Sequence, residues 1–347
     1  MLPLPVPARG GSIETLASFC NIPSRSDFVL VVSWLLAGLR HGGPYPILAL
    51  SGEQGSAKTV LSKMLRALID PNVAPVRSAP REERDLIIAA RNGHLLAFDN
   101  LSDLPAWTSD ALCRLASGGS LAVRRLYTDQ DETLFQAARP VILNGIEDVI
   151  TRPDLADRAI FVVLPHISEH RRRPENEMWH DFEKRRPQVL GALLDTAAHG
   201  LRTLPNIRLE QPPRMADFAY WATACETAFC SGGGFLHAYR ANRRTAIEDV
   251  VEADPVAARI RELMAKRTLW AGSASDLLRT AATELSSVGL GWPKSPRALA
   301  GRLRRAQAPL RVLGIEISFG REGRAGTRVI SLARPDQITR PSAPSAP

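Results

Sequence analysis

One nine-residue segment limits the fold of this chain more than any other. The segment SGEQGSAKT occupies residues 51–59 and directly follows the apolar run YPILAL. It departs from the phosphate-loop pattern G-x-x-x-x-G-K-[ST] only at Ala57, where the pattern has glycine. In such a loop the backbone N–H groups of a tight turn and the first turn of a helix point at an anion. The segment therefore predicts a strand, an anion-binding loop and a helix, in that order.

The flanking residues agree with this order. YPILAL is a short apolar run typical of a buried strand, and KTVLSKMLRALI repeats its apolar residues at helical spacing until DPN ends the helix. The further strand candidates HLLAF, LAVRRLY, RPVILN and AIFVVLP follow, several of them separated by helical segments. Such alternation predicts an α/β domain of the P-loop NTPase type, with a mostly parallel sheet and helices on both faces.

The loop contains the groups that bind a nucleotide phosphate and its Mg²⁺. Gly52 and Gly55 permit the turn, Lys58 supplies a positive charge and Thr59 supplies a hydroxyl for the metal. Ala57 lies where the helix begins, and a methyl group is tolerated there if its φ is negative. We therefore predict an ATP site formed by Gly52, Glu53, Gln54, Gly55, Ser56, Ala57, Lys58, Thr59 and Val60.

Two further strand candidates end in polar residues. HLLAFDN ends with Asp99, which we predict to bind Mg²⁺ with Thr59, and RPVILNG ends with Asn144, which we predict to hold the attacking water. Asn100 stands where a glutamate would activate that water, and an amide can hydrogen-bond water but cannot take its proton. Either another residue such as Glu53 is the base, or hydrolysis is slow. The structural alternatives are a capping aspartate and a turn asparagine.

The segment RPDLADRAIFVV places Arg158 at the start of the next strand candidate. An arginine there can stabilise transition-state charge in the nucleotide site of a neighbouring subunit. Arg152 is the competing candidate, and either arginine alternatively pairs with Asp154 or Asp157. The predicted catalytic residues are thus Lys58, Asp99, Asn100, Asn144 and Arg158.

Taken in order, SGEQGSAKT, LLAFDN, VILNG and DLADR resemble the AAA+ and superfamily 3 helicase ATPase core, and most closely the ATPase region of phage and mobile-element primase-helicases. The resemblance covers roughly residues 26–166, and Ala57 and Asn100 depart from it. It implies a homo-oligomeric ring, commonly hexameric, that couples ATP hydrolysis to movement on DNA. A primase would then be a separate partner, since no primase segment is recognisable before residue 26.

The excess positive charge lies near the end of the chain. The formal net charge is +8, and nine basic and two acidic residues between Gly291 and Ala333 account for +7 of it. There SPRALAGRLRRAQAPL has a serine cap and a proline at the first helical position, and IEISFGREGRAGTRVISL alternates like a hairpin. This order predicts a winged-helix-like domain, although a solvated helix face would show the same charges. The predicted DNA contacts are Arg297, Arg302, Arg304, Arg305 and Arg324, beside Arg321 and Arg328 of the hairpin.

A second basic segment, SGGSLAVRRLYTDQDE, lies where helicases of the resembled family place a hairpin that projects into the central pore. Arg124 and Arg125 are expected either to contact DNA phosphates there or to pair with Asp129, Asp131 or Glu132 of a neighbouring subunit. Both interpretations stay open. Phosphate contacts would depend strongly on salt and carry little base specificity.

Composition divides the chain into five predicted parts and places it in the cytoplasm. The longest apolar run, FVLVVSWLLAGL, is too short to cross a bilayer, and four scattered cysteines predict reduced thiols. The parts are a leader (1–25), a P-loop ATPase core (26–168), a helical lid (169–254), a winged-helix-like domain (255–333) and a disordered Pro/Ser-rich tail (334–347).

Three functions remain open from the sequence. The first is an ATP-dependent DNA motor, a replicative helicase of a phage or mobile element. The second is an ATP-binding DNA regulator or loader with little or no hydrolysis, which Asn100 would permit. The third is a small-molecule kinase, which the basic C-terminal segment disfavours.

Overall fold

The computed structural model describes residues 2–124, 132–146, 149–284, 291–322 and 326–334, with the backbone alone for 121–124, 132–135, 282 and 284.

The chain forms two compact units, Met1–Arg243 and Arg244–Pro347, and the division falls within one helix. The first unit contains α1 Glu14–Ala17, α2 Arg25–Gly38, β1 Ile47–Ser51, α3 Lys58–Ile69, α4 Glu83–Asn92, β2 Leu96–Leu101, α5 Ala106–Ser117, β3 Ser120–Arg124, β4 Glu132–Gln136, β5 Val141–Gly145, α6 Pro153–Ala156, β6 Ala159–Val163, α7 Glu175–Thr203 and α8 Ala216–Glu226, with 3₁₀ helices at Glu169–Arg171 and Leu204–Asn206. Helix α9, Gly234–Ala253, carries the division, and α10 Pro255–Ala265, β7 Leu269–Gly272, α11 Ala274–Glu284, α12 Pro296–Val312, β8 Glu316–Glu322 and β9 Thr327–Ala333 follow.

The main sheet of the first unit is four-stranded and wholly parallel, in the order β2-β5-β1-β6. This confirms the predicted α/β class with a parallel sheet. The segment LAVRRLY differs from the prediction, because its strand β3 lies outside this sheet and pairs with β4 in an antiparallel hairpin. Of the five strands predicted from apolar runs, the four that form the sheet are the most continuously apolar, as strands buried on both faces must be.

Both faces of the parallel sheet are buried. Leu48 and Leu50 of β1 pack into a core that also contains side chains from α2, α3, α7 and α8. Ile47, on the alternate face of β1, is fully buried as well, and Phe98 and Leu143 are buried on the neighbouring strands. The predicted cover on both faces is therefore present.

The predicted core and the predicted lid share one hydrophobic core. Phe182 and Leu193 of α7 and Phe218 of α8 belong to the same cluster as Leu35 of α2. The predicted leader also packs on this unit, since Leu16 is fully buried and the Ala8 N–H donates to the Pro187 carbonyl at 2.9 Å. The structure thus groups residues 1–25, 26–168 and most of 169–254 as one compact unit. Amphipathic spacing shows that a helix buries one face, but not which element covers it.

The second unit combines helices with a three-stranded antiparallel sheet of order β7-β9-β8. Its separate core joins Leu299 and Leu303 of α12 to Ile317, Ile330 and Leu332 of the hairpin β8-β9. The predicted helix and hairpin are both present. Strand β7 was not predicted, because LWAG is only four residues long. Beyond Arg334, the predicted tail lies outside the described residues.

All four cysteines are free thiols, and burial raises the pKa of Cys20 and of Cys225 to about 12. Within the described residues, none of the helices has the length and hydropathy that a membrane span requires.

Candidate functional site

Strand β1 leads directly into the predicted phosphate loop. The strand ends at Ser51 and α3 begins at Lys58. Between them Gly52 and Gly55 have φ angles of 138° and 84°, which residues other than glycine rarely adopt. A Cβ atom at Gly52 would lie 2.4 Å from the carbonyl oxygen of Leu164. The turn therefore depends on glycine at both positions that the sequence pattern marks.

Ala57 adopts the left-handed conformation, with φ 66° and ψ 27°. The expectation of a negative φ, at which a methyl group fits without strain, is therefore wrong for Ala57. A non-glycine residue in this region carries strain of roughly 1 kcal/mol. The loop thus keeps the backbone path of a glycine while holding an alanine.

Lys58 points back over the loop. Its ammonium group donates to the carbonyl oxygens of Gly52 and Glu53, at 2.7 and 2.9 Å, and lies 3.4 Å from the hydroxyl of Ser56. Burial lowers the pKa of the Lys58 ammonium group, and the nearby carboxylate of Asp99 opposes that shift by favouring the charged form. The loop therefore positions a cation between its own carbonyls and the end of β2.

Thr59, Asp99 and Asn144 converge at the carboxyl edge of the sheet. One carboxylate oxygen of Asp99, Oδ1, accepts hydrogen bonds from the Thr59 hydroxyl at 3.0 Å and from the Asn144 amide at 2.5 Å. Asn144 is only 1% exposed, and its amide nitrogen lies 3.4 Å from the Thr59 hydroxyl. Because β5 runs between β1 and β2, the side chain that ends β5 falls between the two predicted Mg²⁺ ligands.

Asn100 lies beside this cluster but is exposed, and it has a left-handed φ of 57°. Asparagine tolerates that conformation better than most residues. The pairing between β2 and β5 shifts register between Phe98 and Leu101, so Asn100 lies at an irregularity within β2. Its backbone N–H donates to Asp99 Oδ1 at 3.0 Å. Glu53, the alternative base, is exposed and does not line the cleft that Asp99, Asn100 and Asn144 share.

These residues surround a cleft of about 490 Å³, within the usual size range of small-molecule sites. Of the described residues that line it, which stop at Ile146 on this side, Asp99 is the only carboxylate. Gly52 and Glu53, which we predicted as cofactor-binding, support the loop from outside the cleft. The lining residues are Gln54, Gly55, Ser56, Ala57, Lys58, Thr59, Val60, Asp99, Asn100, Asn144, Gly145 and Ile146.

Arg158 lies at the opposite edge of the sheet. It directly precedes β6, whose first residue pairs with Ile47 at the start of β1, so roughly 13 Å of strand separates it from the loop. Its guanidinium donates to the Asp154 carbonyl at 2.7 Å and to the Ser117 hydroxyl at 3.3 Å. Arg152 instead forms an ion pair with Asp110 at 2.9 Å. The structure thus brings five predicted residues, Lys58, Thr59, Asp99, Asn100 and Asn144, together and leaves Arg158 away from them.

Two residues near the loop were missed by the sequence interpretation. The amide of Asn21 donates to the carbonyl of Ser56 at 3.2 Å and to that of Pro165 at 2.6 Å, tying the loop to the segment after β6. The guanidinium of Arg172 lies over the loop, 3.2 Å from where a Cβ of Gly55 would be. Both residues lie far from the loop in sequence, and no local pattern marks them.

The predicted nucleic-acid residues fall into three groups. Arg125 and Arg324 lie outside the described residues, and for Arg124 the structure describes only the backbone, in β3. Arg304 is exposed and lies over the ring of Phe319, 4.7 Å from its centroid, whereas Arg302 donates to the Gly291 carbonyl. Exposed on the same helix are Arg297 and Arg305.

Two known protein families match this chain. The family "Actinomycete integrative conjugative element replication protein" matches residues 13–250, which contain the whole cleft. The chain belongs to this family. The description "AICE RepA C-terminal domain" matches residues 256–345, which contain α12 and the hairpin β8-β9. Replication and a mobile element, both expected from the sequence motifs, are thus properties of the family.

Solved structures resemble this replication protein only distantly. The "A form apo structure of NrS-1 C terminal region" aligns over 96% of this chain and 79% of its own, with 11% identity and a TM-score of 0.45. A JCV helicase structure aligns over 58% and 60%, with 15% identity and a TM-score of 0.29. Likenesses this low carry no argument about activity. None of the curated proteins compared matches the chain.

Proposed function

We propose that this replication protein is an ATP-dependent DNA motor, the replicative helicase of its integrative element. The observation that carries the proposal is the cluster of Thr59, Asp99 and Asn144 beside the Lys58 loop. A cation-bearing glycine loop, an acidic strand end and a buried amide meeting in one cleft are the groups that nucleotide hydrolysis requires. The replication family supports DNA as the polymer on which the motor acts.

The cleft residues fit ATP and Mg²⁺ as ligands. Thr59 and Asp99 present two oxygens 3.0 Å apart, and oxygen is the ligand that Mg²⁺ prefers. We assign Lys58 and the loop N–H groups to the phosphates, and Thr59 and Asp99 to the metal, which when bound would neutralise charge on the phosphate oxygens. Asn144, with help from Asn100, would orient the attacking water.

Two arginines complete the proposed site from different chains. Arg172 lies over Gly55 and reaches the phosphate side of its own chain. Arg158 is held at the far edge of the sheet, so it can serve only a neighbouring subunit, as a transition-state arginine supplied in trans. This assignment requires a homo-oligomer, and we propose a ring.

One observation favours a second candidate, an ATP-binding regulator or loader of DNA. Within the part of the cleft that the structure describes, Asp99 is the only carboxylate, and its Oδ1 already accepts hydrogen bonds from Thr59, Asn144 and the Asn100 N–H. Asn100 cannot accept a proton from water. Nucleotide binding without fast turnover would then control assembly on DNA.

ATPase activity measured with and without DNA, over a series of salt concentrations, separates these candidates. The motor predicts hydrolysis that DNA stimulates and that Lys58→Ala abolishes. The matched control is Lys63→Ala, five residues further along α3, where the ammonium pairs with Glu175 at 3.2 Å and does not line the cleft.

Each outcome selects one candidate. Turnover in the wild type and in Lys63→Ala, but not in Lys58→Ala, supports the motor. ATP-dependent assembly without turnover supports the regulator, and phosphorylation of an added metabolite supports a kinase. Wild-type turnover no higher than that of Lys58→Ala under every condition would rule out the helicase.

A further inference from the structure

The second unit contains a groove with a row of arginines, which we name the basic groove. It lies between the start of α12 and the hairpin β8-β9 and has a volume of about 1050 Å³. Arg297 and Arg304 line it from the helix, and Arg321 and Arg328 line it from the hairpin. All four side chains are exposed, and in the part of the chain that the structure describes none of them forms an ion pair.

Helical spacing explains why only some arginines of α12 reach the groove. Arg297 and Arg304 are seven residues apart, so they lie on one side of the helix, two turns from each other. Leu299 and Leu303 are fully buried and mark the side that packs on the core. Arg302 and Arg305 project from the opposite flank of that apolar stripe and do not line the groove.

The hairpin side of the groove contains an unfavourable pair of like charges. Arg321 and Arg328 are direct cross-strand partners in the antiparallel register. Like charges directly opposite each other destabilise a hairpin. Strand alternation places Glu322 on the other face from Arg321, so it does not offset the pair. Such a pair lowers the stability of the free protein, and a bound anion between the two guanidinium groups would remove the repulsion. We therefore expect an anionic ligand at this position.

The ends of two helices add to the positive field. Ser273 and Ala274 at the start of α11, and Pro296 at the start of α12, line the same groove. Helix N-termini carry partial positive charge and bind anions. Asp276, in the first turn of α11, accepts two hydrogen bonds from Ser273 and pairs with Arg279, so its charge is already compensated.

Arg304 is oriented by an aromatic ring. Its guanidinium carbon lies over the ring of Phe319, 4.7 Å from the ring centroid, which is a cation–π contact. A stacked, planar guanidinium suits the bidentate recognition of phosphate oxygens.

We propose that the basic groove binds the sugar–phosphate backbone of DNA, through Arg297 and Arg304 on one side and Arg321 and Arg328 on the other. The inference deepens the proposed function and rests on it for DNA as the polymer. It differs from the sequence prediction, because Arg302 and Arg305 lie outside the contact. Recognition of this kind reads charge and spacing rather than bases.

The test compares two double variants of the full-length chain with the same loss of charge. The groove pair is Arg304→Gln with Arg328→Gln, and the control pair is Arg302→Gln with Arg305→Gln, on the flank of α12 that does not line the groove. Binding of a fluorescent DNA duplex, and of one of its single strands, is measured without nucleotide over a salt series. Thermal unfolding shows that both variants fold.

We expect the groove pair to weaken binding about tenfold or more and to lower the salt slope by about two, while the control pair changes affinity less than about threefold. Whichever DNA arm shows the larger loss identifies the strand form that the groove takes. Equal losses in the two variants, or displacement of DNA by polyglutamate of equal charge as readily as by unlabelled DNA, would overturn the inference. The DNA-binding experiment contains no nucleotide, so it does not depend on ATP hydrolysis. A chain that binds DNA as expected but has no ATPase activity would therefore refute the proposed motor and leave the proposed DNA-binding groove in place.

Discussion

The cleft beside the glycine loop and the basic groove use polar side chains in opposite ways. In the cleft, Asp99 accepts hydrogen bonds from both Thr59 and Asn144, and Asn144 is almost wholly buried. In the groove, Arg321 and Arg328 face each other across the hairpin, exposed and without an ion pair among the described residues. One site satisfies its polar groups internally, and the other leaves its charges for a partner.

The difference shows how each site should respond to change. A buried network depends on the position of every member, because an unsatisfied or repelled polar group in a low dielectric is costly. An exposed row of like charges acts additively and is screened by salt. We therefore expect large, geometry-dependent effects in the cleft and small, salt-dependent effects in the groove.

The largest expected effect comes from Arg158→Ala. If Arg158 completes the cleft of a neighbouring subunit, its loss should lower ATP turnover about 1000-fold, while the loss of its two exposed hydrogen bonds should lower the unfolding temperature only slightly. Mixing Arg158→Ala with Lys58→Ala should restore activity, since each supplies what the other lacks. The measurement is steady-state hydrolysis of the separate and mixed variants, with Arg152→Ala as the control that keeps most activity. Absence of recovery on mixing would refute the assignment in trans.

Asn144→Asp should destabilise the first unit. The change places a second carboxylate against Asp99 Oδ1 in a buried position, which we expect to cost about 2 kcal/mol of unfolding free energy. The repulsion raises the folded-state pKa of the new carboxyl group, so the cost should be larger at pH 8 than at pH 5. Urea unfolding at both pH values measures it.

Asn100→Asp is the control for this change, because Asn100 is exposed and solvent screens its charge. Its cost should stay below about 0.5 kcal/mol. Equal losses of unfolding free energy for the two substitutions would show that burial of the Asn144 amide against Asp99 does not increase the cost of a new charge.

Ala57→Gly should stabilise the protein by roughly 1 kcal/mol, because glycine adopts a φ of 66° without strain. Ala198→Gly, at an exposed position inside α7, should lower stability by about the same amount, since glycine disfavours an ordinary helix. Opposite signs in chemical denaturation would support the strained loop. A loss of stability in both variants would contradict it.

The smallest expected effect is that of Arg328→Ala alone. One exposed phosphate contact should change DNA affinity only about threefold and lower the salt slope by about one. Fluorescence anisotropy at low and high salt measures both quantities. A salt-independent loss of the same size would indicate that Arg328 acts through the fold of the hairpin instead.

Local sequence patterns predicted much of the framework. The helix predicted from KTVLSKMLRALI is α3, Lys58–Ile69, because amphipathic spacing and the DPN stop are local signals. The basic helix and hairpin of the second unit were predicted from a cap, a charge pattern and alternation, and they appear as α12, β8 and β9. Their role as a winged helix stays a prediction.

Other features could not be predicted from local patterns. Asn21 contacts Ser56, and Arg172 lies over Gly55, only because distant segments fold onto the loop. The left-handed φ of Ala57 depends on the same packing, and an alanine in a sequence gives no sign of it.

The sequence by itself determined that a glycine loop joins a strand to a helix and that Asp99 and Asn144 lie in the C-terminal halves of strands, because glycine conformation and apolar periodicity act over a few residues. The tertiary structure decided that β5 lies between β1 and β2, which brings Thr59, Asp99 and Asn144 into contact. It also decided which arginines of α12 face the hairpin. Strand order and the face that a helix buries depend on contacts between residues far apart in the chain, and these contacts are set by packing of the whole core.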